Sequence, residues 1–201
     1  MKEGRKMSKK AIGVCKLHFA KYTAAEDGSI TYEAPKRIID AEEITPTDKF
    51  AEGSNYADNK QNIYLSKITG ADINIVLSSI DPEVEAALTG KAYDEGEIET
   101  TVNDKSAGVA ILFQKNYDDG SYENIVYYNA KLRREDYGGK TEGENIDFTG
   151  VTILGQAMPL PNGKIKYAIH SDKIGEDTAK KKKLDNFFKT VQFKDVADTT
   201  A

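Results

Sequence analysis

The chain has 201 residues, 39% hydrophobic and 30% charged, enough apolar material for one sizeable core but with no run long enough to form a membrane-spanning helix. A net charge of −5 argues against a surface built to grip nucleic-acid phosphates, and the single cysteine, Cys15, excludes an internal disulfide and a cysteine-based metal cluster. The amino terminus, MKEGRKMSKKAIG, has lysines without an apolar stretch of signal-peptide length behind them, so export by that route is not expected.

From residue 11 onward the pattern is mainly that of short strands. Residues 11–22 (AIGVCKLHFAKY) alternate with mixed faces, Ile12, Val14 and Lys16 on one and Cys15, Leu17 and Phe19 on the other. Asp27-Gly28 is a two-residue hairpin signal leading into SITYE, because both central positions of a type I′ turn need positive φ. After Pro35, RIIDAEEI reads as a further strand. From Thr45 to Gln61 periodicity lapses and Pro46, Gly53, Asn55 and Asn59 are turn formers, so a long loop is expected there. A strand with Ile63 and Leu65 on one face and a second with Ile73, Ile75 and Leu77 follow. A short helix comes next: Asp81 is a good N-cap and Pro82 suits the first helical position. Val84, Ala87 and Leu88 share one face, and Gly90 sits where a left-handed terminal residue is wanted. About two turns of helix are not stable alone, so this one must lie on a sheet.

Tyr93 to Glu97 reads as a polar connection and IETTV as a short strand. GVAILFQ (108–114) has the composition of a buried strand, and Asp119-Gly120 turns it into the strand Tyr122 to Leu132. There Val126, Tyr128, Ala130 and Leu132 share one face. Glu123, Tyr127, Asn129 and Lys131 share the other, expected to be wet or to meet a partner. A polar loop over 133–144 precedes NIDFTGVTILG, whose apolar phase changes across Gly150 as at a bulge. Pro161-Asn162-Gly163 makes a third tight turn before KIKYAIH. Leu184, Phe187, Phe188 and Val191 then predict a C-terminal helix from Asp177 to Thr190. The expected fold is mainly β: an antiparallel β-sandwich or barrel with one short flanking α-helix and a C-terminal helix, a single domain over 11–192 between flexible ends at 1–10 and 193–201.

Candidate chemistry is sparse. His18 and His170 are the two histidines, and neither lies in a recognisable catalytic motif. Gly139-Lys140-Thr141 lacks the upstream glycine and strand of a phosphate loop, and Asp118-Asp119-Gly120 lacks the ligand spacing of a calcium loop. No catalytic, cofactor-binding or metal residues are therefore nominated, and a structural or binding role is expected over an enzyme. Lys180 to Lys183 form the one basic run, read as the solvated face of a helix, with an acidic patch on a neighbouring subunit as the sharper reading.

The opening strand, the DGSITYEAPKRI hairpin, the loop ending in SNYADNKQ before a strand, the strand–helix–glycine segment ADINIVLSSIDPEVEAALTG and the hairpin GVAILFQKNYDDGSYENIVYYNAKL together resemble the major tail proteins of long-tailed (siphovirus) bacteriophages over residues 8 to 192. The resemblance implies a β-sandwich or barrel with a flanking helix, assembled into rings of six that stack into a hollow tail tube through which DNA is ejected into the host. The implied partners are other copies of the chain, the tape measure protein, and tail terminator and baseplate proteins. DNA passes through the lumen without specific binding, and neither cofactor nor membrane is involved. The implied location is the virion tail, assembled in the host bacterial cytoplasm. Ring contacts are expected on the long loop and the strand after it, at Lys49, Phe50, Tyr56, Asp58, Lys60, Ile63 and Leu65, since free sheet edges and aromatics on a polar loop gain partners in an assembly. The competing placement folds Phe50 and Tyr56 back on their own domain. Excess acid suits a conduit that repels DNA. Other readings are a type VI secretion-like tube, a carbohydrate-binding β-sandwich using Tyr122, Tyr127 and Tyr128, and an enzyme using His18 or His170.

Overall fold

A computed structural model describes residues 9–24, 29–57, 60–135, 137–139 and 150–194. Its strands are β1 (Ala11–Ala24), β2 (Ile30–Tyr32), β3 (Lys36–Arg37), β4 (Ala41–Ala57), β5 (Lys60–Leu77), β6 (Ala92–Asp94), β7 (Glu97–Glu99), β8 (Val109–Tyr117), β9 (Tyr122–Arg134), β10 (Val151–Ala157) and β11 (Lys166–His170). The helices are α1 (Pro82–Thr89) and α2 (Thr178–Asp185). The main sheet is antiparallel and runs β2-β1-β8-β9-β10-β5-β4, with β3 beside β1 and β11 beside β9, while β6 and β7 form a separate hairpin. The chain between β3 and β4 crosses from one side of the sheet to the other. Ile38 N–H donates to Leu17 O at 2.8 Å, and Ser78 N–H donates to Asp40 O at 2.9 Å. The sheet thus curls on itself, giving the mainly β antiparallel sandwich with a flanking helix that the turn pattern predicts.

Two apolar cores lie on opposite faces of the central strands. The larger gathers Leu17, Phe19, Ile73, Ile75, Leu77, Ile111, Leu132 and Ile153 and is sealed by Leu88 of α1; the smaller gathers Ala110, Leu112, Val126, Tyr128, Ile169 and Phe187. Burial on both sides is why β8 reads as a continuous apolar run. It also corrects the expected wet face of β9, where Tyr127 is 4% and Asn129 8% exposed; only Lys131 of that set stays exposed. A register shift between Val109 and Ile111 sends Ala130 and Leu132 into the larger core while Val126 and Tyr128 enter the smaller. In β1 a shift between Cys15 and His18, with Lys16 at φ 54°, resolves the mixed faces by bringing Val14 to the same core as Leu17 and Phe19.

Helix α1 forms as its punctuation predicts. The Asp81 carboxylate accepts from Glu83 N–H at 2.9 Å, and Gly90, at φ 76°, donates its N–H to Ala86 O at 2.8 Å. Asp81→Ala is expected to cost about 1 kcal/mol, read as a melting temperature lower by roughly 2–4 °C, with Asp81→Asn close to the native protein.

Other boundaries move. RIIDAEEI is broken at Ile38–Asp40, where Asp40 has φ 61°. The polar connection Tyr93–Glu97 belongs to the β6–β7 hairpin. Gly120 and Gly163, both at φ 79°, close the second and third predicted turns. Asp27-Gly28 and the first half of NIDFTGVTILG lie outside the described residues. The C-terminal helix stops at Asp185 instead of reaching Thr190, because α2 buries no residue of its own and the chain must unwind to drive Phe187 into the smaller core. Phe193, expected in a flexible end, stacks on Tyr128 with ring centroids 4.6 Å apart. At the other end, Lys9 pairs with Asp172 at 2.9 Å.

Candidate assembly surface

The stretch expected as a long loop, Thr45 to Gln61, is strand wherever it is described, Thr45 to Ala57 in β4 and Lys60 and Gln61 in β5. β4 and β5 pair from Ala41↔Leu77 to Ala57↔Lys60, whereas β10 covers β5 only over Ala71–Leu77. Beyond the Lys49↔Gly70 pair the two strands therefore run as a ribbon with no third strand beside them among the described residues. From Lys49 to Ala57, eight steps at about 3.3 Å per residue, the ribbon extends roughly 26 Å along the strand. Residues 50–54 and 64–67 are exposed on both faces, which removes the burial that imposes alternation, so these residues carry no period. Pro46 is tolerated because β4 is an edge strand, where a missing N–H breaks no ladder.

The base of the ribbon is anchored by charge. Lys49 pairs with Asp72 at 2.7 Å, and the Asp48 carboxylate takes Lys166 together with the Tyr127 hydroxyl at 3.4 Å. A register shift at the base skips Thr69, so that Lys49 pairs with Gly70 and Phe50 with Ile68. Ile68 packs against the larger core, and Phe50 and Tyr64 continue its side outward into solvent, with Leu65 on the opposite side. Phe50 is 56%, Tyr64 57% and Leu65 69% exposed. The hydrogen bond between Tyr64 and Glu52 pushes the phenol above its ordinary range. Gly70 is obligatory at this base, since a Cβ there would lie 2.5 Å from Ala157 O.

Of the expected contact residues, Lys49 sits in the ion pair at the base, and Phe50 and Leu65 stand exposed on opposite faces. The backbone places Tyr56, Lys60 and Ile63 on the outer ribbon, and Asp58 lies outside the described residues. Phe50 does not fold back on its own domain. Tyr64 belongs to the same exposed set and was missed because, alternating with Ile63 and Leu65, it reads as the polar side of a half-buried strand.

The tyrosines considered for carbohydrate are placed differently. Tyr127 and Tyr128 are buried, and the Tyr128 hydroxyl donates to Gln192 O at 3.0 Å. Burial pushes both hydroxyls above their ordinary range, so these two rings offer no open stacking platform. The histidines lie apart in the fold. His170 Nε2 is 3.3 Å from Glu123, which also accepts from the Tyr117 hydroxyl at 2.7 Å. His18 stands against Phe188 with ring centroids 4.8 Å apart, and burial lowers its pKa. Among the described residues no three His, Cys, Asp or Glu side chains gather as a metal site requires, and no helix is long and apolar enough to cross a membrane.

No family model and no curated protein matches the chain. One solved structure similar to it is the cryo-EM structure of the anti-feeding prophage cap (AFP tube terminating cap), with a TM-score of 0.40 and 9% identity over 85% of this chain and 100% of that one.

Proposed function

We propose that this chain is a structural subunit of a phage tail, self-assembling without catalysis into stacked hexameric rings that form a tube for DNA. The observation that carries the reading is the β4–β5 ribbon. It projects beyond its own sheet and exposes Phe50, Tyr64 and Leu65, apolar surface that gains most when covered by another subunit. An exposed two-stranded ribbon with a free edge is marginal alone and stable when clamped. The sequence resemblance to siphovirus major tail proteins supports the same reading, with tape measure, terminator and baseplate proteins as further partners. A secretion-type tube would use the same contacts, and a tape-measure gene beside this one favours the phage.

The test is negative-stain electron microscopy of the purified protein over a concentration series, with mass by light scattering. Hollow rings or tubes are expected. Phe50→Ser with Leu65→Ser is expected to leave the melting temperature near that of the native chain and to weaken association about 30-fold per side chain, in line with roughly 2 kcal/mol for each interface anchor. A native protein that stays monomeric at every concentration, even with an initiating tail complex added, would overturn the proposal.

A further inference from the structure

Two exposed charged features of the fold keep charges that no ion pair among the described residues answers. Helix α2 carries Lys180 to Lys183; Leu184 packs one side of it on the smaller core and Lys183 donates to Phe193 O at 2.7 Å, while Lys180, Lys181 and Lys182 stand exposed. Lys180 and Lys181 make exposed pairs with Asp177 and Glu176, while Lys182 and the nearby Lys189 make no ion pair among the described residues. The second feature is the β6–β7 hairpin, which turns through Glu95 and Gly96 at φ 42° and 100° and is paired to no other strand among the described residues. Its register sets Asp94 directly across from Glu97 and Ala92 across from Glu99, so Asp94, Glu97 and Glu99 share one face. Like charges directly opposed weaken a two-stranded hairpin that is already marginal. None of these three carboxylates makes an ion pair among the described residues, and all three are exposed.

We propose that α2 is a docking surface whose occupant is the β6–β7 hairpin of a second copy of this chain. The inference rests on the assembly reading and names the partner surfaces within it. Charge complementarity selects the pair, because a lysine face relieves the Asp94–Glu97 repulsion and the carboxylates neutralise the helix. The sizes agree: eight residues of helix span about 12 Å and each hairpin strand about 10 Å. The hairpin and the helix are different surfaces of the same chain, so the contact is head-to-tail, the kind that closes rings or extends tubes. The competing basic face, the groove of Lys49, Lys131 and Arg133, is a weaker match. Two of its three cations are paired, to Asp72 and Glu135, which leaves Lys131 alone without an ion pair among the described residues, against Lys182 and Lys189 on the α2 side.

The test uses two charge-reversed full-length chains, Glu97→Lys with Glu99→Lys and Lys182→Glu with Lys189→Glu, checked by circular dichroism and melting temperature and followed by sedimentation velocity. Each alone is expected to associate at least about tenfold more weakly than the native chain, because like charges then face one another. An equimolar mixture is expected to regain association, each reversed surface meeting its complement. Native association is also expected to weaken as salt rises from 0.05 to 0.5 M, as the Debye length shortens from roughly 14 Å to about 4 Å. If the native chain assembles and both reversed chains assemble equally well, or if Lys131→Glu is the change that abolishes assembly, this contact is wrong and the assembly reading stands. If the native chain never assembles, both fall together.

Discussion

Glu85→Ala is expected to remove about 3–5 kcal/mol of folding stability, seen as a melting temperature lower by roughly 6–20 °C. Glu85 is 3% exposed on the inner side of α1, a position where a charge survives only if fully partnered. Arg134 from the end of β9 reaches it at 2.6 Å, Lys91 at 3.2 Å, and the Tyr137 hydroxyl donates to it at 2.5 Å. Arg134 also lies 4.0 Å from the Tyr137 ring. Burial by itself would raise the pKa of Glu85, but the hydrogen bonds from Tyr137, Arg134 and Lys91 outweigh it and hold the carboxyl below its ordinary 4.5. The sign follows. A depressed folded-state pKa contributes stability that is complete above the unfolded value and is lost as pH falls through the folded one. Native stability measured by urea unfolding is therefore expected to fall on acidification below about pH 4.5, and Glu85→Ala to show a shallower fall over the same range. A variant melting within 2 °C of the native chain would show that the latch between α1 and the end of β9 carries no stability.

Gly90→Ala is expected to cost on the order of 3 kcal/mol or more, combining about 1–2 kcal/mol for a left-handed alanine with a backbone clash. Gly90 has φ 76°, and a Cβ there would lie 2.1 Å from Lys105 O. That carbonyl belongs to main chain and cannot swing aside, so α1 must lift from the larger core that Leu88 seals. Gly163→Ala supplies the comparison. It has φ 79° with nothing within 4 Å of its Cβ, so it is expected to lose only the conformational part, about 1–2 kcal/mol. Equal losses in the two variants, measured by thermal or urea unfolding, would remove the clash from the account.

Local chemistry made some of this structure legible. Asp81, Pro82 and Gly90 mark the ends of α1 within the chain itself, because a cap is satisfied by the residue's own neighbours. The turns at Gly120 and Gly163 are marked for the same reason, since positive φ is a property of one residue. The outer ribbon was not legible. Glu52, Gly53 and Ser54 bury nothing, so no pattern announces them, and their strand is held by the partner they pair with. Phe50 was legible as an aromatic on a polar segment and Leu65 as a contact on the strand after it, but not the geometry that projects them from a sheet edge. Glu85 looked like one more carboxylate on a short helix, because its partners are Lys91, Arg134 and Tyr137, the last two far along the chain.

What the sequence by itself determined is the antiparallel β class, the capped helix and the turns at Gly120 and Gly163, the last two set by interactions within a few residues. The tertiary structure decided which faces are buried, since two bulges at Lys16 and near Ala130 redirect the alternation and Phe187 adds a second core. It also decided that Thr45 to Ala57 is paired strand and that Phe50 to Ser54 stand exposed beyond the sheet, because a strand exposed on both faces is specified by its partner strand and not by its own side chains.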